Sequence, residues 1–261
     1  MNKFATILLL NLGIVGSLIN PARGESPATA PAELTEVISG IEAAANEKNV
    51  EELLEYYSPD FTNTDGLSAD TLAKALEQMW KNFSQLEYNT EIESWSTEGD
   101  RLVAETKTTI TGVKNSQGRE AGLNSTIRSR QYFANNKLVR QEILSEQSQL
   151  SSGENPPQVK VVAPTVVKAG EKYNFDLIVD RPLGEAVLLG AVREDKTASN
   201  LYLNPSDLEL EPLPAGGIYK LATAPSLPDS NWLSAILVRG DGITRVVHRV
   251  TTEEAANRPS P

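Results

Sequence analysis

Helical periodicity in this chain ends early. Apolar residues recur at helical spacing only between Leu34 and Phe83, and from Tyr88 onward the patterned stretches alternate in twos. Helices followed by strands predict an α+β first domain, three helices packed on one face of a curved antiparallel sheet. The stretch Ser151-Ser152-Gly153-Glu154-Asn155-Pro156-Pro157 then interrupts the pattern. Paired prolines continue neither a helix nor a central strand, so residues 151–157 are read as a linker. A length of 261 residues accommodates two domains of ordinary size.

Within residues 33–150, Leu34, Val37, Ile38 and Ile41 form one helical stripe. Asn49 can cap a short second helix carrying Val50, Leu53, Leu54 and Tyr57, which Pro59 closes. Ser68 can cap a third, with Leu72, Ala75, Leu76, Met79 and Phe83 on its stripe and Trp80 widening it. Strands follow at Tyr88–Thr97, Arg101–Val113, Asn124–Ala134 and Leu138–Leu144, with Gly99-Asp100 and Asn135-Asn136 as turns. Residues 158–251 hold about seven short strands between Pro- and Gly-bearing turns, which predicts an all-β sandwich of immunoglobulin type. Residues 252–261 read as a flexible tail.

The chain begins like an export signal. Lys3 precedes an apolar run from Phe4 to Ile19, and Ala22-Arg23-Gly24 places small residues where a signal peptidase reads them, with cleavage before Glu25. That run is shorter than the ~20 residues that span a bilayer. Residues 25–32 then form a flexible lead-in, and the expected location is periplasmic or secreted. Removing Lys3 and Arg23 leaves 22 basic against 35 acidic side chains, a net charge of −13. Such a surface repels nucleic acid and anionic lipid. With no cysteine and one histidine, His248, thiolate chemistry, disulfides and two-histidine metal sites are excluded, and no cofactor is indicated.

The segment from Asn46 to Asp65, ending its short helix in Tyr57-Ser58-Pro59-Asp60-Phe61, resembles the nuclear transport factor 2-like superfamily. Tyr132-Phe133-Ala134-Asn135-Asn136-Lys137-Leu138-Val139 is similar to that family's last hairpin. The resemblance covers roughly residues 32–149 and implies a cone with a pocket between helices and sheet, and pairing into a homodimer through the outer sheet face. In the family's isomerases the general base falls on Asp65, the oxyanion tyrosine on Ile41, and a second acid near Ser129–Gln131, where no carboxylate occurs. Its dehydratases use histidine, which this half lacks. Asp65 alone cannot both remove a proton and stabilise the resulting oxyanion.

Strand alternation sorts the remaining candidates. Thr106, Thr108, Ser129 and Gln131 share a face and, beneath Tyr57, Trp80 and Phe83, would floor a partly polar pocket. The ordinary alternative is buried hydroxyls satisfied by neighbouring strands. On the opposite face Lys107, Arg128, Arg130 and Arg140 interleave with Glu105 and Glu142, either as a solvated ladder or as a docking surface for the second domain or an acidic partner. Asp65 precedes Gly66, which is ordinary turn chemistry; the alternative is a pocket base with Tyr56, Tyr57 or Tyr132 as proton donor. Two functions follow: a non-catalytic binding or interaction protein with an unidentified small-molecule or protein partner, or an isomerase or hydrolase using Asp65.

Overall fold

The computed structural model describes residues 24–116, 119–180, 187–213 and 216–255. The predicted signal segment and cleavage site, and the last residues of the tail, lie outside or at the edge of these. Among the described residues, no helix is long and apolar enough to cross a membrane.

The first half begins with α1 (Ala32–Asn46) and α2 (Val50–Glu55). Asn49 caps α2 by accepting from the Glu52 amide, and two glutamates in its first turn favour the positive end of the dipole. Next comes β1 (Tyr57–Asn63), a strand the sequence did not announce, because Pro59 interrupts its alternation. Ser68 opens α3 (Ala69–Asn82) through a capping box with Thr71. Four long strands follow: β2 (Gln85–Glu98), β3 (Arg101–Ser116), β4 (Arg119–Ala134) and β5 (Lys137–Gly153). Asn135 and Asn136 turn the β4–β5 hairpin at φ of 51° and 57°, a conformation asparagine tolerates. Leu34, Val37, Ile38, Leu53, Phe61, Ala104, Phe133 and Leu138 pack into one core between helices and sheet.

The second half contributes β6 (Val159–Val162), β7 (Val166–Lys168), β8 (Lys172–Val179), β9 (Leu189–Lys196), β10 (Glu211–Pro212), β11 (Gly217–Thr223), β12 (Asp229–Arg239) and β13 (Gly242–Glu253). Strands β11, β8 and β6 form a three-stranded sheet. Its inward residues Phe175, Leu177 and Ile218 pack with Leu233, Leu237, Val246 and Val250 of β12 and β13 in a second core.

Those two strands do not belong to a separate sheet. A single ten-stranded sheet runs β10-β9-β12-β13-β5-β4-β3-β2, with β1 added beside β5 and β7 beside β13. This corrects the start of the linker read over residues 151–157: β5 continues through Ser151–Gly153, which pair with Gly242–Thr244 of β13, and only residues 154–157 lie outside a strand. Polar Ser145–Ser152 carries no hydrophobic alternation, so its strand character comes from backbone pairing on both sides. Gly153 ends the strand at φ 101°, where a Cβ would lie 2.5 Å from the Asp241 carbonyl oxygen. The lead-in is corrected too. Glu25 exchanges backbone hydrogen bonds with Trp95 on the free edge of β2, and the Trp95 indole donates to Thr29 Oγ1 at 3.1 Å.

One edge of β5 serves both halves. Strand β1 runs parallel along it from Leu138 to Gln141, while β13 runs antiparallel from Gly153 down to Gln147. The two strands approach each other end to end. In the gap, the Arg249 guanidinium grips Asp65 with two hydrogen bonds of 2.8 and 2.7 Å and reaches Glu146 of β5 at 2.9 Å. Neither Asp65 nor Arg249 exposes its side chain. Tyr202 donates to Asp65 at 2.6 Å, Ser230 Oγ accepts from Arg249 at 3.1 Å, and the Trp232 indole donates to Glu146 at 2.8 Å. Burial pushes the Asp65 carboxyl up, but the Arg249 hydrogen bonds and charge, with Tyr202 and Thr197, outweigh it and hold the group below its ordinary value.

Two predictions follow from this junction. Unfolding should occur in one cooperative transition, and residues 24–157 expressed alone should lose it, because β5 would expose an edge and Asp65 a buried charge. Two separate calorimetric transitions in the whole chain would contradict this. Asp65→Ala or Arg249→Met should each cost about 3–5 kcal/mol in chemical denaturation, while the double variant Asp65→Leu/Arg249→Met should recover much of the loss. Because the folded Asp65 carboxyl lies below its unfolded value of 3.8, its contribution is complete above that pH. It disappears as pH falls through the folded value, and the acid limb of stability should flatten in Asp65→Leu/Arg249→Met.

Candidate functional site

The apolar stripes of α1 and α3 do not close completely on the sheet. Between them lies a cavity of about 520 Å³, lined from the helices by Ile38, Ile41, Leu72, Leu76 and Met79 and from the sheet by Tyr88, Ile110, Leu123 and Ile127. The apolar stripe of α3, Leu72, Ala75, Leu76 and Met79, is only half-buried, because it faces this hollow rather than a filled core. A cavity of this size with mostly apolar walls is a suitable container for a small molecule.

Five of the seven residues expected on the pocket line it: Tyr57, Phe83, Thr108, Ser129 and Gln131. Trp80 is corrected to core, since it does not line the cavity, packs in the core cluster and donates its indole N–H to the Tyr88 hydroxyl at 3.0 Å. Thr106 lies behind the floor, fully buried, with its hydroxyl 3.1 Å from Ser129 Oγ. Gln141 Nε2 donates to the same Ser129 Oγ at 3.3 Å, and the Thr90 and Thr108 hydroxyls pair at 3.1 Å. Burial pushes the Tyr57 hydroxyl well above the usual phenol range, so it stays protonated.

Asp65 is not on the cavity wall. Its turn is built by Asn63, whose Oδ1 accepts from the amides of Asp65 and Leu67 at 3.0 and 2.8 Å, and Gly66 takes φ 79°. Of the two alternatives the sequence presented, a turn or a pocket base, the structure takes the turn. The Asp65 side chain is nevertheless buried, and its carboxylate is spent on Arg249. The carboxylate that does face the cavity is Glu42 of α1, which accepts from the Thr90 amide at 2.5 Å. Tyr132 lies on the other face of the sheet, under the Arg140 guanidinium at 5.2 Å.

Sequence reasoning missed the second half's share of the wall. The 3₁₀ turn Ser199–Tyr202 and the residues after it bring Tyr202 and Pro205 onto the cavity, and Gln78 of α3 donates to the Leu203 carbonyl at 3.4 Å. Tyr202 therefore touches both the cavity and Asp65, and its ring packs edge-on against Trp232 at 5.1 Å. Arg249 was missed as well. Its signal was a basic residue amid the valines of β13, opposite the inward face that carries His248.

On the outer sheet face the cationic strip is fully paired. Lys107 meets Glu91 at 3.5 Å, Arg128 meets Glu93 at 2.5 Å, Arg130 meets Glu105 at 2.6 Å, and Arg140 meets Glu142 at 2.5 Å. Exposed pairs of this kind add little stability. Among the described residues, no cluster of three His, Cys, Asp or Glu is placed to hold a metal ion.

Residues 40–141 match the family model described as SnoaL-like domain, and residues 154–253 match one described as Domain of unknown function (DUF8623). Among curated proteins none matches the chain in sequence. Similar solved structures include AclR from Streptomyces galilaeus, at 20% identity and TM-score 0.34, covering 44% of this chain and 79% of that one. A Novosphingobium aromaticivorans protein named for scytalone dehydratase shares 12% identity at TM-score 0.37, over 42% of this chain and 80% of its own. An LEH-like epoxide hydrolase of M. tuberculosis shares 9% at TM-score 0.32, over 42% and 80%. Likeness at this level says nothing of substrate. With its helices laid over a curved sheet around a cavity, the stretch 40–141 is a SnoaL-like domain of the nuclear transport factor 2-like superfamily.

Proposed function

We propose that this is an exported, non-catalytic binding protein whose SnoaL-like domain holds a small apolar molecule. Its second half, read as a β-sandwich of immunoglobulin type, walls the cavity from one side. The observation that carries this reading is the cavity itself: about 520 Å³, largely apolar, with Glu42 the one carboxylate among the described residues that line it and its Oε2 accepting from the Thr90 amide. A proton-transfer enzyme needs a free base and a donor for the developing oxyanion at the same reacting centre. Here the aspartate that the family resemblance offers as base is bound to Arg249 outside the cavity. The acidic surface and the short apolar leader support export and argue against nucleic-acid or anionic-lipid partners.

A neutral environment-sensitive dye such as N-phenyl-1-naphthylamine should bind saturably with one site per chain. Filling the hollow with Ala75→Phe should weaken that binding at least about tenfold while leaving the circular dichroism spectrum unchanged. Equal binding by the filled variant would refute the cavity as the site. Turnover of a bound compound would refute the non-catalytic assignment. Expression with the native leader should yield exported material whose intact mass begins at Glu25; retention of residues 1–24 would overturn export by cleavage.

A further inference from the structure

Gln131 is the one cavity residue whose hydrogen-bonding capacity is conspicuously unspent. Its side chain is on the floor, the residue is only 8% exposed, and Oε1 is buried without a partner among the described residues. Such an acceptor destabilises the fold unless something meets it. Its neighbours are already committed, because Ser129 Oγ is shared between Thr106 Oγ1 at 3.1 Å and Gln141 Nε2 at 3.3 Å. None of these contacts reaches Gln131 Oε1.

Charge narrows the ligand further. Among the described residues no lysine or arginine lines the cavity, and Glu42 places an acidic side chain on its wall. A carboxylate or phosphate would be desolvated there with no cation to meet it. Resting on the binding reading above, we infer that the cavity takes an uncharged, mainly apolar molecule bearing a hydroxyl, and that the Gln131 amide reads that hydroxyl. A carboxamide both accepts and donates, and half a turn about its last bond exchanges the two ends. A hydroxyl satisfies either orientation, since it too donates and accepts. An ether or ketone only accepts and leaves Oε1 unmet.

Four probes on one fluorescent skeleton test this: pyrene, 1-hydroxypyrene, 1-methoxypyrene and 1-pyrenecarboxylate, titrated near pH 6.5 into the whole protein. The hydroxyl compound should bind about tenfold tighter than pyrene or the methyl ether, and the carboxylate weakest of all. Gln131→Leu should bring the ratio of hydroxypyrene to pyrene affinity close to one. The inference is overturned if the alcohol and ether bind the native protein alike, a comparison that needs no variant. It also fails if the preference survives in Gln131→Leu. Pyrene binding without discrimination would sink the hydroxyl reading alone, whereas saturable binding of none of the four would sink the cavity-binding reading with it.

Discussion

Arg249 leaves the second half of the chain on β13 and ends between two carboxylates of the first, Asp65 and Glu146. No part of the junction is solvated enough to make those charges independent. Two acids around one guanidinium would leave a surplus negative charge. The Tyr202 hydroxyl on Asp65 and the Trp232 indole on Glu146 compensate it with neutral donors. The arrangement stabilises little against an apolar alternative of the same shape, yet losing any member is costly, so its main effect is to fix where the halves meet.

That fixed meeting point determines the cavity. Tyr202 is held by Asp65 on one side and Trp232 on the other, so the turn that carries it stands against the hollow beneath α3. The helices and sheet of the SnoaL-like domain supply most of the wall, but the enclosure is completed by Tyr202 and Pro205, more than a hundred positions beyond the helices they face. The same side chain thus links the container to the ion pair that orients it. Asp65, at the position where a proton acceptor would be expected from the family resemblance, has become part of the architecture.

Much of the first half was legible because local signals agreed with one another. Asn49 and Ser68 both cap the helices they announce, the Asn135-Asn136 turn is where the backbone turns left-handed, and the alternation on β3 and β4 correctly put Thr108, Ser129 and Gln131 on the cavity face. What misled were segments whose conformation has no local cause. Strand β1 contains a proline and only seven residues, and it exists because β5 offers a free edge. Ser151–Gly153, the end of β5, reads as linker because Pro156-Pro157 follow at once, yet pairing with β13 makes it strand. Trp80 shared a helical stripe with cavity residues, yet a hydrogen bond to Tyr88 turns it into the packed interior.

By itself, the sequence determined composition-limited chemistry and local form. It removed thiol and two-histidine sites, set a negative surface, ordered helices before strands, and assigned the faces of the long hairpins. Only the tertiary structure decided that the two halves share one sheet, that Asp65 faces Arg249 instead of a ligand, and that Tyr202 reaches the cavity. Periodicity reports which side of an element is apolar, whereas a contact between residues 65 and 249 depends on strand pairing across 184 positions. No local pattern along the chain encodes such a meeting; it arises because two strands compete for one edge of β5 and their ends are brought face to face.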